Sequence, residues 1–109
     1  MRSSTTIEAD MFKNGMRPIH PGEVLREDFL VPLGMSANAL AKALRVPAPR
    51  VNDIVRERRG VTADTALRLA RYFNSTPQFW MNLQAAFDLR KAEGEVARKI
   101  EREVMPRAA

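Results

Sequence analysis

"VPAPRVNDIVRERRG", residues 46–60, decides how this chain folds. Pro47 and Pro49 stand where a helix can begin, because first-turn N–H groups have no intrahelical partner and a proline gives up nothing there. Val51, Ile54 and Val55 follow at helical spacing and supply one apolar side. The stretch predicts a short helix that starts between Pro47 and Pro49 and ends by Gly60. Its leading end is slim, and its trailing end carries Arg56, Arg58 and Arg59.

Upstream, Ser36 is suited to cap "ANALAKALR", in which Leu40, Ala41 and Leu44 form an apolar stripe. About three or four residues then join the two helices, the length at which helices cross steeply and the second projects its outer face. Before them, Pro21 can open a first helix, "PGEVLREDFL", with Leu25, Phe29 and Leu33 four apart and Glu23 and Glu27 at its positive end; Pro32 and Gly34 stop it. After them, Thr62 caps "ADTALRLARYF", with Ala66, Leu67, Leu69, Ala70 and Phe73 inward and Asn74 at the end.

Ser75 or Thr76 caps a fifth helix opened by Pro77. Its Phe79, Trp80, Leu83, Ala86 and Phe87 recur at three and four, the spacing of core rather than of a cofactor pocket. Beyond Asp88 the pattern thins and Gly94 weakens it. Leu89, Val96, Ile100 and Val104 still share one side, as in an exposed or partner-packed helix, and Pro106 ends it. With no alternating strand pattern, the expectation is an all-α fold: a five-helix helix-turn-helix domain over residues 19–90 and a helical extension over 91–109. Residues 1–18 read as a polar, disordered tail whose Ile7, Met11, Phe12 and Met16 could order on a partner.

Composition removes most other classes. A chain of 109 residues can bury one core. Without cysteine there is neither a disulfide framework nor a thiolate metal site, and the single histidine, His20, reads as a helix-start residue with a hydrogen-bonding role. No run is long enough to cross a bilayer, and the N-terminus lacks the apolar centre of a secretion signal. A cytoplasmic protein with no cofactor, no metal and no membrane contact is expected. An enzyme is a poor reading, since there is no cysteine, one histidine, no glycine-rich phosphate loop and no pair of carboxylates on a buried face. The net charge of +5 is unevenly spread: residues 1–35 sum to −1, residues 36–60 to +4 and the remainder to +2. That is what the electrostatic footprint of a polyanion binder looks like, although a cluster of this size is more often a solvated face.

On a helix laid in a major groove, the first turns reach base edges and the flanking ends meet phosphates. Ala48 and Pro49 are small enough for close approach and can touch a thymine methyl. Arg50 is the candidate for a forked contact to guanine O6 and N7, Asn52 for adenine, and Asp53 for cytosine N4. Ser36 can hold a phosphate with its hydroxyl and the helix-start N–H groups. Arg56, Arg58 and Arg59 are placed for the backbone, with Asn38 and Lys42 as weaker candidates.

The pattern S-x-x-x-L-A-x-x-L-x-V-x-x-x-x-V-x-x-I, Ser36 to Ile54, resembles the lambda-repressor-like helix-turn-helix of Cro and the phage repressors. More narrowly, "HPGEVLREDFLVPLGMS", "VNDIVRERRGVTADTALRLARYF" and "PQFWMNLQAAFDL" resemble HigA-type antitoxins of bacterial toxin–antitoxin operons. The resemblance implies a homodimer that represses its own operon at a roughly palindromic operator, and that binds and neutralises a HigB-type mRNA-cleaving toxin. It places positions 48, 49, 50, 52 and 53 where phage-type repressors carry reading residues, although the usual glutamines are absent, and it gives Ser36 a phosphate-holding counterpart. A helix-turn-helix regulator without a toxin is the alternative. Arg45 stands where the turn commonly has glycine; a left-handed backbone there costs a non-glycine residue about 1 kcal/mol.

Overall fold

The computed structural model describes residues 17–108. Among these there are five helices and no strand. The apolar positions expected of residues 1–16, Ile7, Met11, Phe12 and Met16, lie outside the described residues.

Helix α1 covers residues 21–33. It is α-helical over Pro21–Val24, π-helical over Leu25–Leu30 and α-helical again over Val31–Leu33. His20 starts it: Gly22 N–H donates to the imidazole Nδ1 at 2.8 Å. The wide turn is closed by Val31 N–H donating to the Arg26 carbonyl, five residues back. It precedes Pro32, which has no N–H to return to the preceding turn.

The wide turn corrects one expectation. A four-residue spacing put Leu33 inward, but the extra residue in the turn advances the register, so Leu30 is buried and Leu33 is 61% exposed.

Helices α2 (Ala37–Leu44) and α3 (Ala48–Val55) follow, then α4 (Ala63–Phe73) and α5 (Pro77–Glu103). The caps of α2 and α4 are those expected: Ser36 Oγ accepts from Ala39 N–H and Thr62 Oγ1 from Thr65 N–H. At α5 the choice falls on Thr76, which accepts from Phe79 N–H at 3.1 Å, while Ser75 Oγ accepts the Trp80 indole N–H at 3.2 Å.

Helices α1 to α4 all end in a left-handed residue, at Gly34, Arg45, Glu57 and Asn74, with φ between 56° and 63°. At each of these ends the next N–H reaches back to the final turn: Met35 to Leu30, Val46 to Ala41, Arg58 to Asp53 and Ser75 to Ala70. Arg45 thus adopts the left-handed turn in place of glycine.

The core joins Leu25 and Leu30 of α1, Leu40, Ala41 and Leu44 of α2, Val51 and Ile54 of α3, Val61, Ala66 and Leu69 of α4 and its approach, and Trp80 of α5. Phe29, partly buried, packs against it and meets Phe73 (4.8 Å) and Trp80 (5.1 Å) between ring centroids. Each fully buried Leu, Ile or Val contributes about 1.5–3 kcal/mol relative to exposure.

Two residues expected inward are not. Leu67 lies about 100° around α4 from Ala66 and is 60% exposed, and Phe79 is at the rim, 39% exposed. α5 runs unbroken through Gly94 for 27 residues, so the fifth helix and the extension are one rod, with Leu89, Val96, Ile100 and Val104 exposed along it.

Candidate nucleic-acid interface

Two close approaches aim α3 outward. A side chain on Gly22 would place Cβ 1.7 Å from the Ile54 carbonyl oxygen, so the start of α1 lies directly against the backbone of α3. At the other end, Gln84 of α5 accepts the Val61 N–H at 2.7 Å and fixes the loop that leaves α3. Val51 and Ile54 are buried, and their opposite side is presented to solvent.

Two arginines from outside the helix-turn-helix close its carbonyl ends. Arg68 of α4 donates Nη1 to the Leu44 carbonyl at 2.9 Å, at the end of α2. Arg26 of α1 donates Nη1 to the Val55 carbonyl, at the end of α3, and pairs with Glu27 and Glu57. A cation at a helix C-terminus meets both the orphan carbonyls and the negative end of the dipole. Sequence spacing could not reveal these ties, which span 24 and 29 residues.

Of the five expected reading residues, Pro49 is exposed and Arg50, Asn52 and Asp53 are half-exposed on the outward side of α3. Ala48 is half-buried and packs on the core, which leaves it the least able to touch a base. Asn52 Nδ2 donates to Asn38 Oδ1 at 2.8 Å and to the Ala48 carbonyl at 3.0 Å, joining the outer faces of α2 and α3. Asp53 is met by Arg59 at 3.4 Å. Arg50 Nη1 lies 2.6 Å from Asp64 Oδ2, which also receives Arg68 Nε at 2.9 Å. Those two arginines, Arg68 first, hold the Asp64 carboxyl below its ordinary pKa.

The expected phosphate-holding residues Ser36, Asn38, Lys42, Arg56, Arg58 and Arg59 are all exposed. Ser36 spends its oxygen on the cap, which leaves its hydroxyl proton to donate. Among the described residues Lys42, Arg56 and Arg58 have no ionic partner. The surface thus has a polar edge along α3, and past its end Arg56 and Arg58 are exposed with no ionic partner among the described residues.

The helix-turn-helix family matches residues 25–80. Antitoxin HigA-1 of Vibrio cholerae is 41% identical over 80 residues, covering 72% of this chain and 74% of that one. The Pseudomonas aeruginosa antitoxin HigA, solved with its higBA promoter, superposes with a TM-score of 0.82 at 54% identity, over 84% of this chain and all of that one.

The chain belongs to the HigA family of helix-turn-helix antitoxins.

Virulence-associated protein I of Dichelobacter nodosus is also similar, 63% identical over 81 residues, with 74% and 75% of the two chains covered. HigA antitoxins are helix-turn-helix DNA-binding proteins, not enzymes. No helix among the described residues is long and apolar enough to cross a membrane.

In this HigA-type chain the lone histidine serves the scaffold. His20 is 4% exposed, caps α1 and meets the Phe87 ring edge-on at 4.8 Å. Burial lowers its pKa, against smaller opposing effects of Glu57 and Asp88. The imidazole is therefore held neutral, as the accepting Nδ1 requires.

Proposed function

We propose that the protein represses its own operon as a homodimer and neutralises a HigB-type mRNA-cleaving toxin by binding it. In this reading α3 lies in the major groove, Pro49, Arg50, Asn52 and Asp53 face base edges, and Ser36, Asn38, Lys42, Arg56, Arg58 and Arg59 hold phosphates. The observation that carries it is the outward side of α3 flanked by exposed Lys42, Arg56 and Arg58, which have no ionic partner among the described residues. Support comes from a fold shared, at a TM-score of 0.82, with an antitoxin solved on its promoter.

One domain reads few base pairs, so two copies are needed, with recognition helices about 34–36 Å apart on a roughly palindromic site. The outer half of α5, where Leu89, Val96 and Ile100 are exposed, is the surface for the second copy. The test is titration of the chain's own promoter fragment at several salt concentrations, together with co-purification beside the neighbouring gene product. Affinity should fall steeply with salt, as it does when several phosphates are neutralised. Salt-independent binding overturns the DNA reading. Steep binding with no small partner retained leaves a regulator without a toxin.

A further inference from the structure

We infer that Asp64 is a positioning residue for base reading, fixing the Arg50 guanidinium by one corner so that the opposite edge is open to a guanine. The inference rests on the reading of Arg50 as a base contact. A forked contact to guanine O6 and N7 needs two N–H donors on one edge, held in the plane of the base. Asp64 Oδ2 occupies only Nη1 of Arg50, at 2.6 Å, which leaves the Nε–Nη2 edge uncommitted. A long side chain on the half-exposed side of α3 would otherwise sample many rotamers and lose that freedom on binding.

The carboxylate is itself anchored. Arg68 Nε reaches the same oxygen at 2.9 Å, and Arg68 Nη1 is fixed to the Leu44 carbonyl at the end of α2. Arg50 is therefore tied through Asp64 and Arg68 to the helix-turn-helix itself, not to a mobile side chain. Arg50, Arg59 and Arg68 line one cleft with Asp64 as the acidic residue among them. An acid facing DNA opposes phosphate attraction, so its presence there costs general affinity and has to act through orientation.

The test measures binding of the full chain to its promoter fragment and to single base-pair variants across it, for wild type, Asp64→Asn, Arg50→Ala and the double variant. Thermal melts confirm folding; Asp64 is exposed and Thr62, not Asp64, caps α4, so Asp64→Asn leaves the helix start intact. Expected is a loss of preference of about fivefold or more at one G·C position in both single variants. Affinity for unrelated DNA should be unchanged or higher in Asp64→Asn, and the double variant should lose no more preference than Arg50→Ala. Asp64→Glu, which keeps the charge but displaces the carboxylate by one methylene, should recover only part of the preference; full recovery would assign the effect to charge and overturn the positioning role. If Arg50→Ala abolishes the preference and Asp64→Asn keeps it, the positioning role is refuted while the base contact stands. If Arg50→Ala leaves every preference intact, the base contact itself fails and the inference falls with it.

Discussion

The same substitution, glycine to alanine, should have opposite signs at two places in this chain. At Gly22 an added Cβ would stand 1.7 Å from the Ile54 carbonyl oxygen, 2.8 Å from the carbonyl carbon and 3.0 Å from His20 Nδ1. A real Cβ does not come closer than 3.0 Å, so α1 and α3 must separate by about 1.3 Å. The obstacle is backbone, which cannot swing away as a side chain can. Overpacking of this kind costs about 1–3 kcal/mol, and the size of the shift puts Gly22→Ala at about 2 kcal/mol or more.

At Gly94 the added methyl meets nothing within 4 Å, and the residue lies inside α5. Gly94→Ala therefore restricts only the unfolded chain and should stabilise by about 0.5–1 kcal/mol. Both are read by urea denaturation at fixed protein concentration, following the fluorescence of Trp80, the sole tryptophan and fully buried. Because Ile54 lies on α3, Gly22→Ala should also weaken promoter binding, whereas Gly94→Ala should not. A Gly22→Ala protein within about 0.5 kcal/mol of wild type would refute the close approach of α1 to α3.

Arg58→Ala should weaken binding to all DNA sequences alike and lower the slope of log affinity against log salt by about 1; a sequence-dependent loss in a salt titration would count against a phosphate role. Arg45→Gly should stabilise the protein by up to about 1 kcal/mol, read as a higher urea midpoint, since Arg45 bears a φ of 61°; no gain would mean that the arginine side chain compensates the turn. Protonation of His20 removes the acceptor for Gly22 N–H, and its folded pKa lies below the ordinary 6.5. Stability from this group is thus full above that value and is lost as pH falls from about 6.5 through the depressed folded pKa. His20→Asn, which keeps an acceptor at the cap, should flatten the stability profile between pH 6.5 and 5, a window above the lowered carboxyls of Glu23 and Asp64. An unchanged profile in urea melts would assign the pH dependence elsewhere.

The helices were legible because their signals are local. Ser36, Thr62 and Thr76 announce helix starts through bonds only three residues long, and Leu40, Leu44, Val51 and Ile54 repeat at the period of their helices. Leu33 was misread because spacing assumes a uniform turn, and the wide turn over Leu25–Leu30 has no signature in apolar periodicity. Gly94 weakens the pattern, but about 1 kcal/mol of propensity does not outweigh the hydrogen-bonded turns on either side, and the helix runs through it. The outward residues of α3 could be named from the sequence, whereas their partners could not. Asn38 to Asn52 and Arg50 to Asp64 each join residues 14 apart in sequence, and only the folded arrangement brings them together.

With the unbroken α5, the described residues extend 52 Å in one direction and 24 Å in another. Its inner half bears on His20 through Phe87, and α1 in turn abuts α3 at Gly22, while the outer half stands clear of the core. Mechanically, this is a rod about 40 Å long whose free half is a lever of about 20 Å, with its fulcrum at the protein body. Where two such levers are joined at their free ends, the angle between them sets the distance between the two groove-entering helices. A tilt of about 10° carries the far end several ångströms, comparable with the about 3.4 Å step from one base pair to the next. In the proposed homodimer, the operator spacing that suits the pair would then be set by the stiffness and lean of this rod, far from any nucleotide.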